Sequence, residues 1–148
     1  MGTISKNFSY REFEKSDTAD RLGLCNVIIT VRVRDAVRAL TLNILQPLRD
    51  RLQRAVRISS GYRCAELNRA VGGVDTSQHT KGEAADIYVL MADGSRMPSV
   101  ELAREILAAG LPFDQLILYP TFVHVSHKLG GPQRGNVLYN KSYKGPRV

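Results

Sequence analysis

The sequence predicts an α+β domain in which a small antiparallel β-sheet is covered by helices on one side. Helical spacing dominates the first half of the chain and paired strand-like runs the second, with no regular strand–helix alternation. The chain has 148 residues, 43% of them hydrophobic and 24% charged. That is the size and make-up of one domain able to bury its own core. Residues 1–148 are therefore read as a single domain, expected to be a monomer.

Ser9-Tyr10-Arg11-Glu12 reads as a capping box opening a short helix, because the hydroxyl and the carboxylate can each satisfy an orphan amide of the first turn. A second short helix ends at Gly23. Val37, Leu40, Ile44, Leu48 and Leu52 recur at three- and four-residue spacing and place an apolar stripe along a long helix, with Arg38, Arg49 and Arg51 off it. Pro47 is expected to kink or divide that helix, since it supplies no amide to the preceding turn. Val56 to Ser60 is a strand, followed by a polar helix from Ala65 to Val71 that Gly72-Gly73 terminates. Ala84 to Val89 is a second strand. Pro98 and Ser99 begin a helix carrying Val100, Leu102, Ile106 and Leu107, which ends at Gly110. Gln115–Tyr119 and Phe122–Ser126 form a hairpin turning at Pro120-Thr121. In the final stretch, 128–148, Val137-Leu138-Tyr139 is strand-like and the remainder reads as a basic, solvated tail.

The formal net charge of +7 admits a nucleic-acid partner, an anionic surface or a basic protein with neither. The basic residues are scattered and lack the aromatic interleaving of a single-strand platform, so nucleic acid is not expected as a partner. No apolar run approaches a membrane span. The polar stretch Met1 to Tyr10 lacks the apolar core of a secretory signal. Cys25 and Cys64 are far apart and outside metal-ligand spacing, which reads as two idle thiols.

Only three histidines occur, His79, His124 and His127. His79 and Asp86 lie seven residues apart, one at a loop end and one inside a strand, with Gly82 between them to permit a sharp turn. They can converge on one point, and nitrogen plus oxygen donors suit Zn2+. A third ligand can come from Val123-His124-Val125-Ser126-His127. Strand alternation puts His124 on one face with Phe122 and Ser126, and sends Val123, Val125 and His127 to the other. Two histidines and one carboxylate leave a fourth tetrahedral position open, the mark of a catalytic zinc site.

Ser77-x-His79-x-x-Gly82-x-Ala84-x-Asp86, preceded by Ser60-Gly61-Tyr62-Arg63 and followed by His124-Val125-Ser126, resembles the D-alanyl-D-alanine carboxypeptidase family of zinc peptidases. The family includes dipeptidases and phage and bacterial peptidoglycan-cleaving enzymes, and shares its core with hedgehog domains. The resemblance runs from about Asn7 to His127. It implies that His79, Asp86 and His124 are zinc ligands and that Arg63 engages the substrate, where a guanidinium can pin a carboxylate or carbonyl near the metal. It also implies that Ser77 positions substrate, although this serine could equally cap the His79 loop. The implied substrate is the peptide stem of peptidoglycan, cut at D-Ala-D-Ala or at an endopeptidase position such as L-Ala-D-Glu. The implied site of action is the bacterial cell wall, reached without a signal peptide, as by a phage lysin or particle component.

One departure from the family pattern bears on catalysis. Relatives place a glutamate or aspartate a few residues before the last histidine as general base, whereas no carboxylate lies between Asp114 and His124. In the hairpin Tyr119 pairs with Phe122 and shares the His124 face, while Asp114 pairs with His127 on the other. Tyr119 is a poor base but a workable donor to an oxyanion. Asp114 is the nearest acid, and a bulge could swing it toward the metal; it also reads as a turn residue or a partner of His127. Glu83 is a weaker choice. Without a base, the alternative is a zinc-binding wall-recognition module that does not catalyse.

Overall fold

The computed structural model describes residues 2–148. A two-stranded ribbon, β1 (Thr3–Ser5) and β2 (Phe8–Ser9), leads into α1 (Tyr10–Glu14), which buries Tyr10 and Phe13. The capping box is half realised. The Ser9 hydroxyl caps no backbone amide and instead bonds the Glu12 carboxylate, which also accepts from the Ser9 backbone. Helix α2 (Asp17–Leu22) starts on the Ser16 hydroxyl, which accepts from Ala19 N at 3.1 Å, and ends at Gly23 in the left-handed conformation.

The predicted long helix is continuous from Val31 to Leu52. Its first part, α3 (Val31–Leu40), passes through a π-helical turn at Thr41–Leu45 directly into α4 (Gln46–Leu52). Pro47, in the first turn of α4, therefore does not break the rod. The wider turn just before it absorbs the missing amide and the bulk of the ring. Val37, Leu40, Ile44 and Leu48 are all fully buried, as their spacing requires. Replacing Ile44 with Ala would cost about 2–5 kcal/mol, because the surrounding side chains relax only partly into the space left.

Five strands form the main sheet, in the order β3 (Val56–Ser60), β4 (Ala84–Val89), β6 (Val123–Ser126), β5 (Gln115–Leu118), β7 (Asn136–Tyr139). The first four are mutually antiparallel, and β7 alone is parallel, against β5. The hairpin turns where expected, with Tyr119 N donating to Phe122 O at 3.0 Å. Pairing of Ala85 with Val125 and Leu116, and of Ile87 with Val123 and Leu118, builds one apolar face. Against it pack the rod of α3 and α4 and helix α6 (Ser99–Ala108), in one continuous core. The opposite face carries Asp86, His124, Ile117 and Tyr119.

The basic tail departs from the expectation of a solvated end. Strand β7 pairs along its length with β5, Tyr139 and Tyr143 pack on the core, and the Arg147 guanidinium lies 4.1 Å from the Tyr139 ring centroid. No helix among the described residues is long and apolar enough to cross a membrane.

Candidate metal centre

Asp86 and His124 are direct cross-strand partners on β4 and β6. Side chains of such a pair on one face are near neighbours, so their meeting follows from register alone. His79 arrives from a short 3-10 turn, Gln78–Lys81, that precedes β4. Gly82 closes this turn with φ of +74°, and a Cβ there would lie 2.8 Å from the Val33 carbonyl oxygen. Any side chain at that point would push the turn, and His79 with it, off the sheet.

His79 Nε2 lies 3.3 Å from Asp86 Oδ1, and His124 Nδ1 lies 3.2 Å from the same oxygen. The three groups form the one set of metal-capable side chains among the described residues, with ligand atoms all within 4.8 Å of one another, and each is buried. Four ligands about 2.0–2.1 Å from one tetrahedral ion sit roughly 3.3 Å apart, so the two measured edges have the right length. The donor chemistry points the same way. His79 Nδ1 donates to the Gly61 carbonyl oxygen at 2.8 Å, which turns Nε2 toward the Asp86 carboxylate. A buried carboxylate oxygen facing two imidazole nitrogens calls for a proton or a cation where they converge. The residues present therefore fit a divalent ion of the zinc type.

Charge reinforces the arrangement. Burial pushes the Asp86 carboxyl up, but hydrogen bonds from His124 and His79, together with their charges, outweigh it and hold the group well below the usual carboxylate range. Burial pushes the His124 imidazole down despite Asp86, which favours the neutral ring a metal needs. His124 Nε2 is buried and has no hydrogen-bond partner among the described residues, so the Nδ1 edge carries the ring's polar contacts.

Arg63 stands beside this set, with Nη2 3.7 Å from Asp86 Oδ2. Its Nε donates to Ser60 Oγ at 3.1 Å and its Nη1 to Asn68 Oδ1 at 3.2 Å, which fixes the plane of the guanidinium. Asn68, buried on α5 (Ala65–Ala70), is a support that motif reading did not pick out as such. The Ser77 hydroxyl accepts from His79 N at 3.3 Å, so it caps the turn, while the residue also lines the cleft. Tyr119 lines the cleft as well, its ring stacked on Phe122 with centroids 4.4 Å apart. Burial, and then the charge of Asp86, push its phenol up against the opposing effect of Arg63, so the hydroxyl keeps its proton.

Asp114 differs from its sequence-based expectation as a base. It is fully buried, it does not line the cleft, and its oxygens accept from Arg134 Nη2 at 2.8 Å, Arg134 Nε at 3.0 Å and Gln78 Nε2 at 3.0 Å. The hydrogen bonds from Arg134 hold it well below the usual carboxylate range, which makes it a very weak proton acceptor. His127 is not its partner, because His127 Nδ1 donates to the Pro112 carbonyl oxygen at 2.8 Å. Glu83 does line the cleft, and its Oε2 accepts from Leu129 N at 3.1 Å. No sequence spacing pointed to Arg134, twenty residues from the carboxylate it holds.

The cleft encloses about 560 Å³ and runs along β5 past Gln115, Ile117 and Tyr119, with His79, Asp86 and His124 in its floor. A helix-backed sheet thus carries a buried His–Asp–His set, able to hold a metal ion, under an open cleft. The profile of the Peptidase M15 family matches residues 6–126, and the chain belongs to this family of D-Ala-D-Ala carboxypeptidase-like zinc peptidases. A comparison with curated proteins returns no match.

Proposed function

We propose that the protein is a zinc peptidase that hydrolyses an amide in the peptide stem of peptidoglycan, with His79, Asp86 and His124 as the zinc ligands. The observation that carries this reading is the 3.2–3.3 Å spacing of two imidazole nitrogens around one carboxylate oxygen, on the floor of a cleft. When bound, Zn2+ supplies Lewis-acid polarisation of the scissile carbonyl and a water whose pKa is lowered to about 7. The chain's own residues bind and orient. Arg63, held by Ser60 and Asn68, presents its guanidinium to a carboxylate or carbonyl of the substrate next to the metal ligands. Tyr119 keeps its proton and serves as a hydrogen-bond donor to the oxyanion that develops on the attacked carbonyl. Ser77 holds the His79 turn and faces the substrate from the same wall. Asp114 has no part in the proton transfers.

The scissile bond is D-Ala-D-Ala or an endopeptidase position such as L-Ala-D-Glu. Mass spectrometry of a defined muropeptide incubated with the zinc-loaded protein reports turnover and bond position together. Loss of the products with a chelator and their return with Zn2+ support the reading. A second reading, a wall-recognition module that binds zinc without turnover, is favoured by the bonds from Arg134 and Gln78 that occupy Asp114. Intact muropeptide after incubation with zinc-loaded protein would establish it over the first.

A further inference from the structure

We infer that the end of the cleft remote from Tyr119, lined by Lys81, Lys128 and Arg134, is a subsite for a free carboxylate on the substrate peptide. The inference rests on the peptidase reading for the identity of the peptide, but the anion binding itself does not depend on turnover. All three cations line the same cavity as the metal ligands. Lys128 and Arg134 lie beyond residue 126, where the family match stops, while Lys81 lies within it.

The wall is built from buried supports. Arg134 Nε and Nη2 and the Arg134 backbone N–H all donate to Asp114, which is fully buried, while the arginine side chain itself remains 49% exposed. Nη1 is thereby the one guanidinium nitrogen not bonded to Asp114. The Lys128 backbone N–H donates to Gln133 Oε1 at 2.8 Å, and Gln133 Nε2 returns bonds to the Lys128 and Gly131 carbonyl oxygens. Glu83 pins the same loop through Leu129 N and Gln78 steadies Asp114 from the cleft side. Among the described residues no carboxylate pairs with Lys81 or Lys128. Of the four cations that line the cleft, Arg63 stands by Asp86 and Arg134 is paired with Asp114, so Lys81 and Lys128 face it against the one remaining carboxylate, Glu83.

Position sets which part of a substrate would reach this wall. Ser126, paired with Ala84 at the end of β6, is two residues along the chain from His124, and Lys128 is four. At a strand rise of about 3.3 Å per residue, the subsite lies roughly 7–13 Å from the metal ligands. An extended peptide advances about 3.3–3.6 Å per residue, so the bound carboxylate sits about two to four residues from the scissile amide. A glutamate linked through its side chain leaves such a group free on its α-carbon. Amidation of that carboxyl removes the charge and keeps the shape, which makes the subsite a reader of amidation state.

The test compares a synthetic stem pentapeptide containing a γ-linked D-glutamyl residue with its twin in which the free α-carboxyl is a carboxamide. Binding of each to the full chain, both zinc-loaded and chelated, is read by fluorescence anisotropy of a labelled peptide. The acid is expected to bind about tenfold tighter than the amide, since a carboxylate gains charge-assisted bonds that the amide cannot make. In Lys81→Met/Lys128→Met the preference should fall to within about twofold, and in wild type it should shrink with added salt. Neither lysine forms an ion pair among the described residues, and thermal denaturation of the double variant checks that it remains folded. Equal affinities for the two peptides, including no measurable binding of either, overturn the subsite, as does a preference that survives in the folded double variant. Failure of the peptidase reading looks different: both peptides stay intact with zinc while the acid preference persists.

Discussion

Asp86 and Asp114 are both buried carboxylates held far below their usual titration range, yet they do opposite work. Asp86 Oδ1 faces two imidazole nitrogens and keeps its lone pairs directed at the point where those nitrogens converge. Asp114 has its oxygens filled by three donors of Arg134 and one of Gln78. The lesson is that partner chemistry, more than burial or ionisation, decides whether a carboxylate binds an ion or anchors a wall. Imidazole leaves room for a cation between it and the acid, whereas a bidentate guanidinium closes that space.

The largest expected contrast comes from deleting each acid's function in turn. Asp86→Ala should reduce bound zinc and muropeptide hydrolysis to background together; full zinc occupancy by elemental analysis in a folded variant would contradict its role as ligand. Arg134→Ala should retain zinc but lower the urea midpoint, because it leaves the Asp114 carboxylate without its main partner. The loss is moderated because the arginine is half exposed and water can reach the gap. An unchanged urea midpoint would mean that the Asp114 pair is not holding the wall.

Acid sharpens the comparison further. The folded-state pKa of Asp114 is depressed in the wild type, so the stability it contributes is present above its unfolded value of about 3.9 and is lost as pH falls through the folded value. In Arg134→Ala the same carboxyl is buried without its main partner and is easier to protonate than to keep charged. The stability gap between wild type and variant should therefore narrow as pH drops from 7 to about 4 and below. A gap that stays constant across that range would assign the loss to packing of the arginine stem.

Smaller effects belong to the substrate-facing residues at the metal end. Arg63→Ala should keep its zinc and lower kcat/KM by about 100-fold, through lost positioning of the peptide beside the metal ligands. Tyr119→Phe should keep its zinc and lower kcat by about tenfold with little change in KM, as expected for a donor used mainly in the transition state. Zinc loss in either variant would move that residue from substrate handling to support of the metal site.

Much of the metal end was legible before any coordinates. His79, Gly82 and Asp86 are close in sequence, the alternation around His124 assigns its face, and the hairpin at Pro120-Thr121 places Tyr119 beside it through local pairing. What stayed hidden depends on non-local partners. The pairing of Asp86 with His124 joins strands 38 residues apart, and nothing in either strand names the other. Strand β7 was read only as strand-like, because a parallel partner cannot be inferred from a nearby turn. The exchange of Asp114 from candidate base to anchor of Arg134 follows from that same parallel docking, which brings the segment before β7 alongside the start of β5. At Pro47 the local rule was outweighed, since a rod packed along its whole length on the core accommodates the proline by widening one turn.

Crystals of the zinc-loaded protein, measured at the zinc absorption edge, test the central claim most directly. One anomalous peak is predicted about 2.0–2.2 Å from His79 Nε2, Asp86 Oδ1 and His124 Nδ1. A peak held by other side chains, or none at full zinc loading, would contradict it.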